Sequence, residues 1–274
     1  MTNTMSADVL ARLAQGKSFL ELANKVVFIT GAGNGIGFAM AQAFAATGAK
    51  LALLDISAQD LEHCRATLLS SFPGLSIETY VASVTDEQAV QAAIAAAQAA
   101  FGGIDILLNN AGISMNQPTL ELSCTDWRKA MDINVNGVFY CAQAVAQGML
   151  DQGHGVILNM SSMYGQVAAP ERAAYCTSKA AVSMLTKVLA IEWGKRGVRV
   201  NAIAPGYVYT ALVDQLVAAG RMDLDALTKR TPSGRLGESH EIATLALFLA
   251  SEHASFINGQ VIVADGGWSA YSYI

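Results

Sequence analysis

The chain has 274 residues, of which 53% are hydrophobic and 14% charged, with a formal net charge of −5. That balance supplies a large core and argues against a disordered chain. An acidic protein without a Lys/Arg cluster gives no reason to expect nucleic acid or an anionic membrane as a partner.

Residues 1–24 read as an N-terminal extension. They hold no uninterrupted apolar run of the kind a secretory signal needs. Val9, Leu10 and Leu13, then Phe19 and Leu20, suggest a short amphipathic helix there. From residue 25 to 274 the pattern is that of one domain. Strand-like runs fall at 25–30, 50–55, 75–81, 104–109, 155–160, 198–204 and 260–265. Helix-like runs fall between them at 36–47, 57–71, 86–101, 123–150, 174–195 and 239–250.

This alternation implies right-handed crossovers, hence an α/β fold: a Rossmann-like, doubly wound parallel sheet of about seven strands with helices on both faces. The strands are apolar on both sides, as a sheet covered twice requires. The alanine-rich run at 92–100 fits a helix packed on that sheet, and no segment reaches the length of a membrane span. The least regular stretch, 205–238, is expected to act as a lid over the substrate. Four cysteines and four histidines lie scattered, without metal-ligand spacing. No metal site and no disulfide are expected, and reduced thiols point to a cytoplasmic protein.

The segment "VVFITGAGNGIGFAM" (26–40) places Gly31, Gly33, Gly35 and Gly37 between the first strand and the first helix. Glycine there lets a pyrophosphate approach bare backbone and meet the positive end of a helix. A plain structural turn is the competing account. Asp55 ends the second strand roughly 20 residues further on, where a carboxylate can accept hydrogen bonds from an adenosine ribose and repel a 2′-phosphate. With Asn34 rather than a basic residue in the loop, NAD is favoured over NADP.

These residues, with "NNAG" (109–112), Asn134, "NMSS" (159–162), "YCTSK" (175–179), "PGYVYT" (205–210) and "NGQVIVADGG" (258–267), resemble the short-chain dehydrogenase/reductase family. The resemblance covers residues 25 to about 267. It implies that Tyr175 is the acid/base, with Lys179 one helical turn on to bind the nicotinamide ribose and, together with the positive ring of the oxidised nicotinamide, to favour the phenolate. It also implies that Ser162, or less readily Ser161, hydrogen-bonds the substrate oxygen, and that Asn134 holds a water in a proton relay. A buried, satisfied amide serves Asn134 equally well.

The cofactor set expected on the same basis is Gly31, Gly33, Asn34, Gly35, Ile36, Gly37, Asp55, Ser83, Val84, Asn110, Ala111, Gly112, Tyr175, Lys179, Pro205, Gly206, Val208 and Thr210. Ser83 departs from the aspartate common in the family and weakens the expected adenine contact.

For substrate, the candidates are Ser162, Tyr164, Glu171, Arg172 and Tyr207, and "KRTPSGRLGE" (229–238) adds polar groups near the lid. Polar side chains suit a polyhydroxylated small molecule. The C-terminal half is similar to members acting on sugars, sugar acids and polyols, and also to 3-oxoacyl-carrier reductases. A surface ion pair is the competing account of Glu171 and Arg172. A protein that senses NAD without turnover is the alternative of another class. The absence of a G-x-S-x-G elbow argues against a serine hydrolase. The long helices 123–150 and 174–195, apolar around much of their circumference, correspond to a family interface that implies a homotetramer, with a dimer as the alternative. For the tail, Tyr271 and Tyr273 are candidates to reach a neighbour's site.

Overall fold

The computed structural model describes residues 17–218, 220 and 222–272. The expected strands form one parallel sheet: β1 (Val26–Thr30), β2 (Lys50–Asp55), β3 (Ile77–Val81), β4 (Ile106–Asn109), β5 (Gly155–Met160), β6 (Val198–Pro205) and a last strand, Val261–Ala264. In space the order is β3-β2-β1-β4-β5-β6 followed by that last strand. β1 therefore has β2 on one side and β4 on the other, both parallel. The chain reverses its direction of winding at that point, which opens a crevice above the C-terminal ends of β1 and β4.

Period-two alternation divides each central strand between two cores. Val27 and Ile29 of β1 join Phe38, Phe44, Ile242 and Leu247 on one face. Val26 and Phe28 join Ile94, Val145, Ile157 and Leu189 on the other. Burial on both faces holds for β1, β2, β4, β5 and β6 but not for the two edge strands, where Val81 and Val263 are exposed. An edge strand has a neighbour on one side only, so its outer residues meet solvent.

The helices are α1 (Gly35–Ala46), α2 (Ala58–Ser71), α3 (Glu87–Phe101), α4 (Cys124–Met131), α5 (Gly137–Gln152), α6 (Ala173–Trp193), α7 (Ala211–Ala218), α8 (Leu224–Arg230) and α9 (Ser239–Ala250). Ser57, Asp86, Ser123 and Asp223 cap α2, α3, α4 and α8 through their side-chain oxygens. The alanine-rich run lies in α3, which buries Val90, Ala93, Ile94 and Ala97.

Two expectations change. The helix expected over 123–150 is broken by a π turn at Asp132–Asn136, a feature that hydrophobic periodicity does not report and that often marks a functional position. The irregular stretch 205–238 contains α7, α8 and a small parallel pair, β7 (Val208–Tyr209) with β8 (Gly237–Glu238); β9 is the last strand of the large sheet. Val9, Leu10, Leu13 and Tyr273 lie outside the described residues.

Candidate active site

The glycines after β1 divide by what a side chain would strike. A Cβ on Gly37 would lie 2.0 Å from the Gly31 carbonyl oxygen and 2.6 Å from the Asn110 Nδ2. One on Gly33 would meet the Cβ of Asp60 at 2.7 Å, and one on Gly31 the Cα of Ala111 at 2.9 Å. These three glycines allow the loop to close on its own neighbours. Gly35 differs: φ is +54°, and the nearest atom to a Cβ would be the Thr210 methyl at 3.9 Å. Only here does bare backbone face open space. Gly31, Asn34, Gly35 and Ile36 line the crevice, whereas Gly33 and Gly37 pack within the loop behind it. Asn34 caps α1, its Oδ1 accepting from the Gly35 N–H at 2.7 Å.

Asp55 ends β2 at the crevice wall. One carboxylate oxygen accepts from the Gly33 N–H and the other from the Ser57 N–H, each at 3.0 Å. The same carboxylate thus fixes the loop and reaches the cleft. Thr30, which sequence reasoning missed, ties β1 to the "NNAG" turn: its hydroxyl oxygen accepts from the N–H groups of Asn110 and Ala111 at 3.1 Å. The Asn110 amide donates to the carbonyls of Gly31 and Thr30, at 2.9 and 3.2 Å. Asn110 lines the cleft, but that amide nitrogen is committed to the loop. Ser83 also lines it, yet its oxygen accepts from the Thr85 N–H and pairs with the Thr85 hydroxyl at 2.8 Å. Val84 beside it is buried against Gly137.

At the next strand ends, Ser162 follows β5 and Tyr175 and Lys179 rise from the first turns of α6. Both serines of "NMSS" are buried, but they face different partners. The Ser161 hydroxyl donates to the Lys179 carbonyl and pairs with Ser183 at 2.8 Å. Ser162 is hydrogen-bonded to the Tyr175 hydroxyl. Packing thus turns the two hydroxyls to different partners, and of the two it is Ser162 that meets Tyr175. Lys179 is buried, donates to the Met160 carbonyl at 2.8 Å, and has its Nζ 5.8 Å from the centre of the Tyr175 ring.

Burial dominates the electrostatics of this pair. Burial pushes the Tyr175 phenol above its ordinary value, against the opposing pulls of the Ser162 hydrogen bond and the Arg172 guanidinium. Lys179 is itself drawn down to about 8 by burial. The lysine alone does not produce a phenolate here, because the low-dielectric surroundings that would strengthen its influence also penalise both charges. In the surroundings that the protein itself supplies, burial works against ionising the Tyr175 phenol.

Asn134 sits in the π turn and is fully buried. Its Oδ1 accepts from the Ile113 N–H at 2.8 Å, and its Nδ2 donates to the Ile113 carbonyl and the Ser178 hydroxyl, both at 3.0 Å. A Cβ on Gly112 would lie 3.1 Å from the Asn134 Oδ1 and 3.3 Å from the Lys179 Nζ. The glycine allows the three to meet. The side chain is spent as a clamp between the Ile113 main chain and Ser178.

At the far end of the cleft the Tyr164 and Tyr207 hydroxyls lie 3.1 Å apart, and the Arg172 guanidinium stands 4.9 Å above the Tyr164 ring. Burial holds the Tyr164 phenol well above its usual range. Trp268, unassigned from sequence, packs edge-on against Tyr207 at 5.1 Å. Pro205, Tyr207, Val208 and Thr210 line the cleft with Gly206, whose missing side chain clears Asp265.

Glu171 is not in the main cleft. It takes a left-handed backbone (φ +62°) and borders an outer recess. The polar residues of 229–238 turn elsewhere: Arg235 forms a two-armed pair with Glu241 at 2.7 and 2.8 Å, and Arg230 stacks on Trp268 and Tyr271. Tyr271 thus packs on its own chain.

A family model described as enoyl-(acyl carrier protein) reductase matches residues 31–269. Over 239 residues the chain is 42% identical to gluconate 5-dehydrogenase of Gluconobacter oxydans, covering 87% of this chain and 92% of that protein. It is 44% identical over 248 residues to D-threitol dehydrogenase of Mycolicibacterium smegmatis, covering 90% and 94%. The crystal structure of a short-chain type dehydrogenase/reductase from Mycobacterium marinum superimposes with a TM-score of 0.86 at 35% identity, covering 93% and 99%.

The chain belongs to the short-chain dehydrogenase/reductase family. As a short-chain dehydrogenase/reductase it is an NAD(P)-dependent oxidoreductase acting on CH–OH groups. The site fits the dinucleotide. Gly35 offers open backbone at the N-terminus of a 12-residue helix, Asp55 ends β2 at the wall of the same cleft, and that cleft measures about 600 Å³.

Proposed function

We propose that the protein is an NAD-dependent dehydrogenase that interconverts a secondary alcohol and a ketone on a sugar, sugar acid or polyol. One observation carries this: Tyr175, hydrogen-bonded to Ser162, lines the same cleft as Asp55, with the buried Lys179 beside its ring. Asp55 favours NAD, because a 2′-phosphate would be brought against a carboxylate with no basic residue in the adjoining loop. When bound, the cofactor supplies the hydride acceptor and, in its oxidised form, a positive ring near the phenol.

Tyr175 donates its proton to the oxygen of a ketone during reduction and takes one from an alcohol during oxidation. Ser162 hydrogen-bonds that same oxygen and stabilises its charge as it develops. Lys179 holds the nicotinamide ribose, and the main chain of the Asn134 turn holds a water through which the lysine exchanges protons with solvent. The segment 205–238 acts as the lid of a single catalytic domain, 25–274, preceded by the extension 1–24.

The polyhydroxylated substrate is supported by the relatives' own activities and by the hydroxyl pair of Tyr164 and Tyr207. Exposed Met184, Val188 and Ile191, one stripe on α6, with Trp127 and Phe139 on the neighbouring helices, support a homotetramer. All four cysteines are free, which supports a reducing, cytoplasmic setting.

The test is a panel of sugars, sugar acids, polyols and simple secondary alcohols followed by NADH absorbance, with NADP in parallel. Turnover is expected with NAD, and Tyr175→Phe should lower kcat by roughly 10³-fold while NADH binding persists. Turnover retained in that variant would remove Tyr175 from its role, and preference for NADP would remove Asp55 from its own.

A further inference from the structure

Most arginines with described contacts have a strong acceptor. Arg235 pairs with the Glu241 carboxylate, Arg196 approaches Asp151 at 3.6 Å, Arg230 donates to the Tyr271 carbonyl at 2.7 Å, and Arg199 donates to the Ser251 carbonyl at 3.1 Å. Arg172 differs. Its Nη2 lies 3.4 Å from the Tyr207 hydroxyl and its Nη1 3.5 Å from the Ser114 hydroxyl, both at the long limit of hydrogen bonding. Among the described residues no carboxylate comes within ion-pair distance of it. The surface ion pair with Glu171, the competing account from sequence, is therefore not formed.

The guanidinium is nonetheless held in place. It lies over the Tyr164 ring, and its backbone is fixed by the left-handed Glu171, whose carbonyl accepts from the Gln117 N–H at 2.8 Å. It stands where the main cleft meets the outer recess and lines both. The recess acid Asp223 caps α8, its Oδ1 accepting from the Ala226 N–H at 3.0 Å, and makes no ion pair with Arg172. Arg172 is also the residue before α6, whose first turn has no acidic side chain, so the positive end of a 21-residue helix adds to its charge. Tyr175 follows at i+3, on the same face. A planar fork of donors, preplaced by aromatic contact and served only by weak neutral acceptors, is arranged for a planar anion.

We propose that Arg172 anchors a carboxylate of the substrate, so that the molecule converted here is a hydroxy acid or sugar acid rather than a neutral polyol. The identity of the reacting carbon rests on the hydride-transfer function above; the binding of the acid does not. Gluconate, sorbitol and sorbitol 6-phosphate, which share a six-carbon hydroxylated chain, are titrated calorimetrically into the full chain, alone and with NADH.

Gluconate is expected to bind at least about tenfold more tightly than sorbitol, and Arg172→Met to weaken it by roughly 30-fold, with Arg172→Lys recovering part of the loss. Thermal melting checks that each variant folds; if the Met variant does not, the Lys variant alone should weaken gluconate by about five- to tenfold. Equal affinity for gluconate and sorbitol, absence of gluconate binding, unchanged affinity in a folded variant, or sorbitol 6-phosphate bound in place of gluconate each overturns the proposal. Gluconate bound through Arg172 with no hydride transfer from any alcohol would instead overturn the proposed function and leave the anchor standing.

Discussion

The two ends of the cleft are built differently. At the glycine-loop end, side chains serve the backbone: Asp55 accepts from Gly33 and Ser57, Asn110 donates to Thr30 and Gly31, and Thr30 accepts from Asn110 and Ala111, nearly all at 2.9–3.1 Å. At the other end, side chains meet side chains. Tyr164, Tyr207, Arg172 and Ser114 stand 3.1–3.5 Å apart, with Trp268 behind them. A ligand common to a whole family can be met by backbone, whose geometry is hard to vary. A substrate peculiar to one member needs side chains that can change without moving the frame.

The contrast can be broken at its most rigid point. Gly37→Ala would put a methyl 2.0 Å from the Gly31 carbonyl oxygen, where backbone must move. A loss of roughly 3 kcal/mol in stability is expected, with loss of NADH binding, measured by denaturant melts and fluorescence titration. Gly35→Ala meets open space and should cost only about 1 kcal/mol from its positive φ. Equal effects of the two would mean that crowding does not organise the loop.

Lys179 sharpens the contrast from the catalytic side. Its folded pKa, about 8, lies below the ordinary lysine value of 10.5, so the folded state holds its proton less firmly. The penalty for burying the ammonium is fully present below pH 8 and is relieved as pH rises toward 10.5. Lys179→Met should therefore raise stability at pH 7 by about 2 kcal/mol, once its lost bond to Met160 is subtracted, and should flatten the pH dependence between 8 and 10. Thermal melts across that range, with activity lost throughout, check it; a destabilised variant at pH 7 would contradict it.

The smallest effect is expected at Asp55→Asn. The amide oxygen still accepts one N–H, so stability should fall by about 1 kcal/mol while the ratio of NAD to NADP turnover drops roughly tenfold. An unchanged ratio would assign Asp55 to the loop alone.

Nearly all of the frame was legible before the fold was seen. Each strand of the large sheet begins and ends within two residues of its sequence-derived range, because a doubly covered parallel strand must be apolar throughout and must stop where glycine or polar residues break it. The π turn around Asn134 was not legible. It shifts backbone hydrogen bonds by one residue without altering the apolar period. Arg172 and Tyr207 were named as substrate candidates from the sequence, but their neighbours Ser114 and Trp268, which come from distant segments and share no spacing with them, were not.

The sequence by itself determined the winding of the chain, the crevice above β1 and β4, and the residue types brought to its rim, since local periodicity and glycine placement act over a few residues. Tertiary structure alone decided which glycines face open space, which serine of "NMSS" meets Tyr175, and that burial works against ionising that phenol. Those outcomes depend on atoms from remote segments arriving within about 3 Å of one another, and on the water they displace.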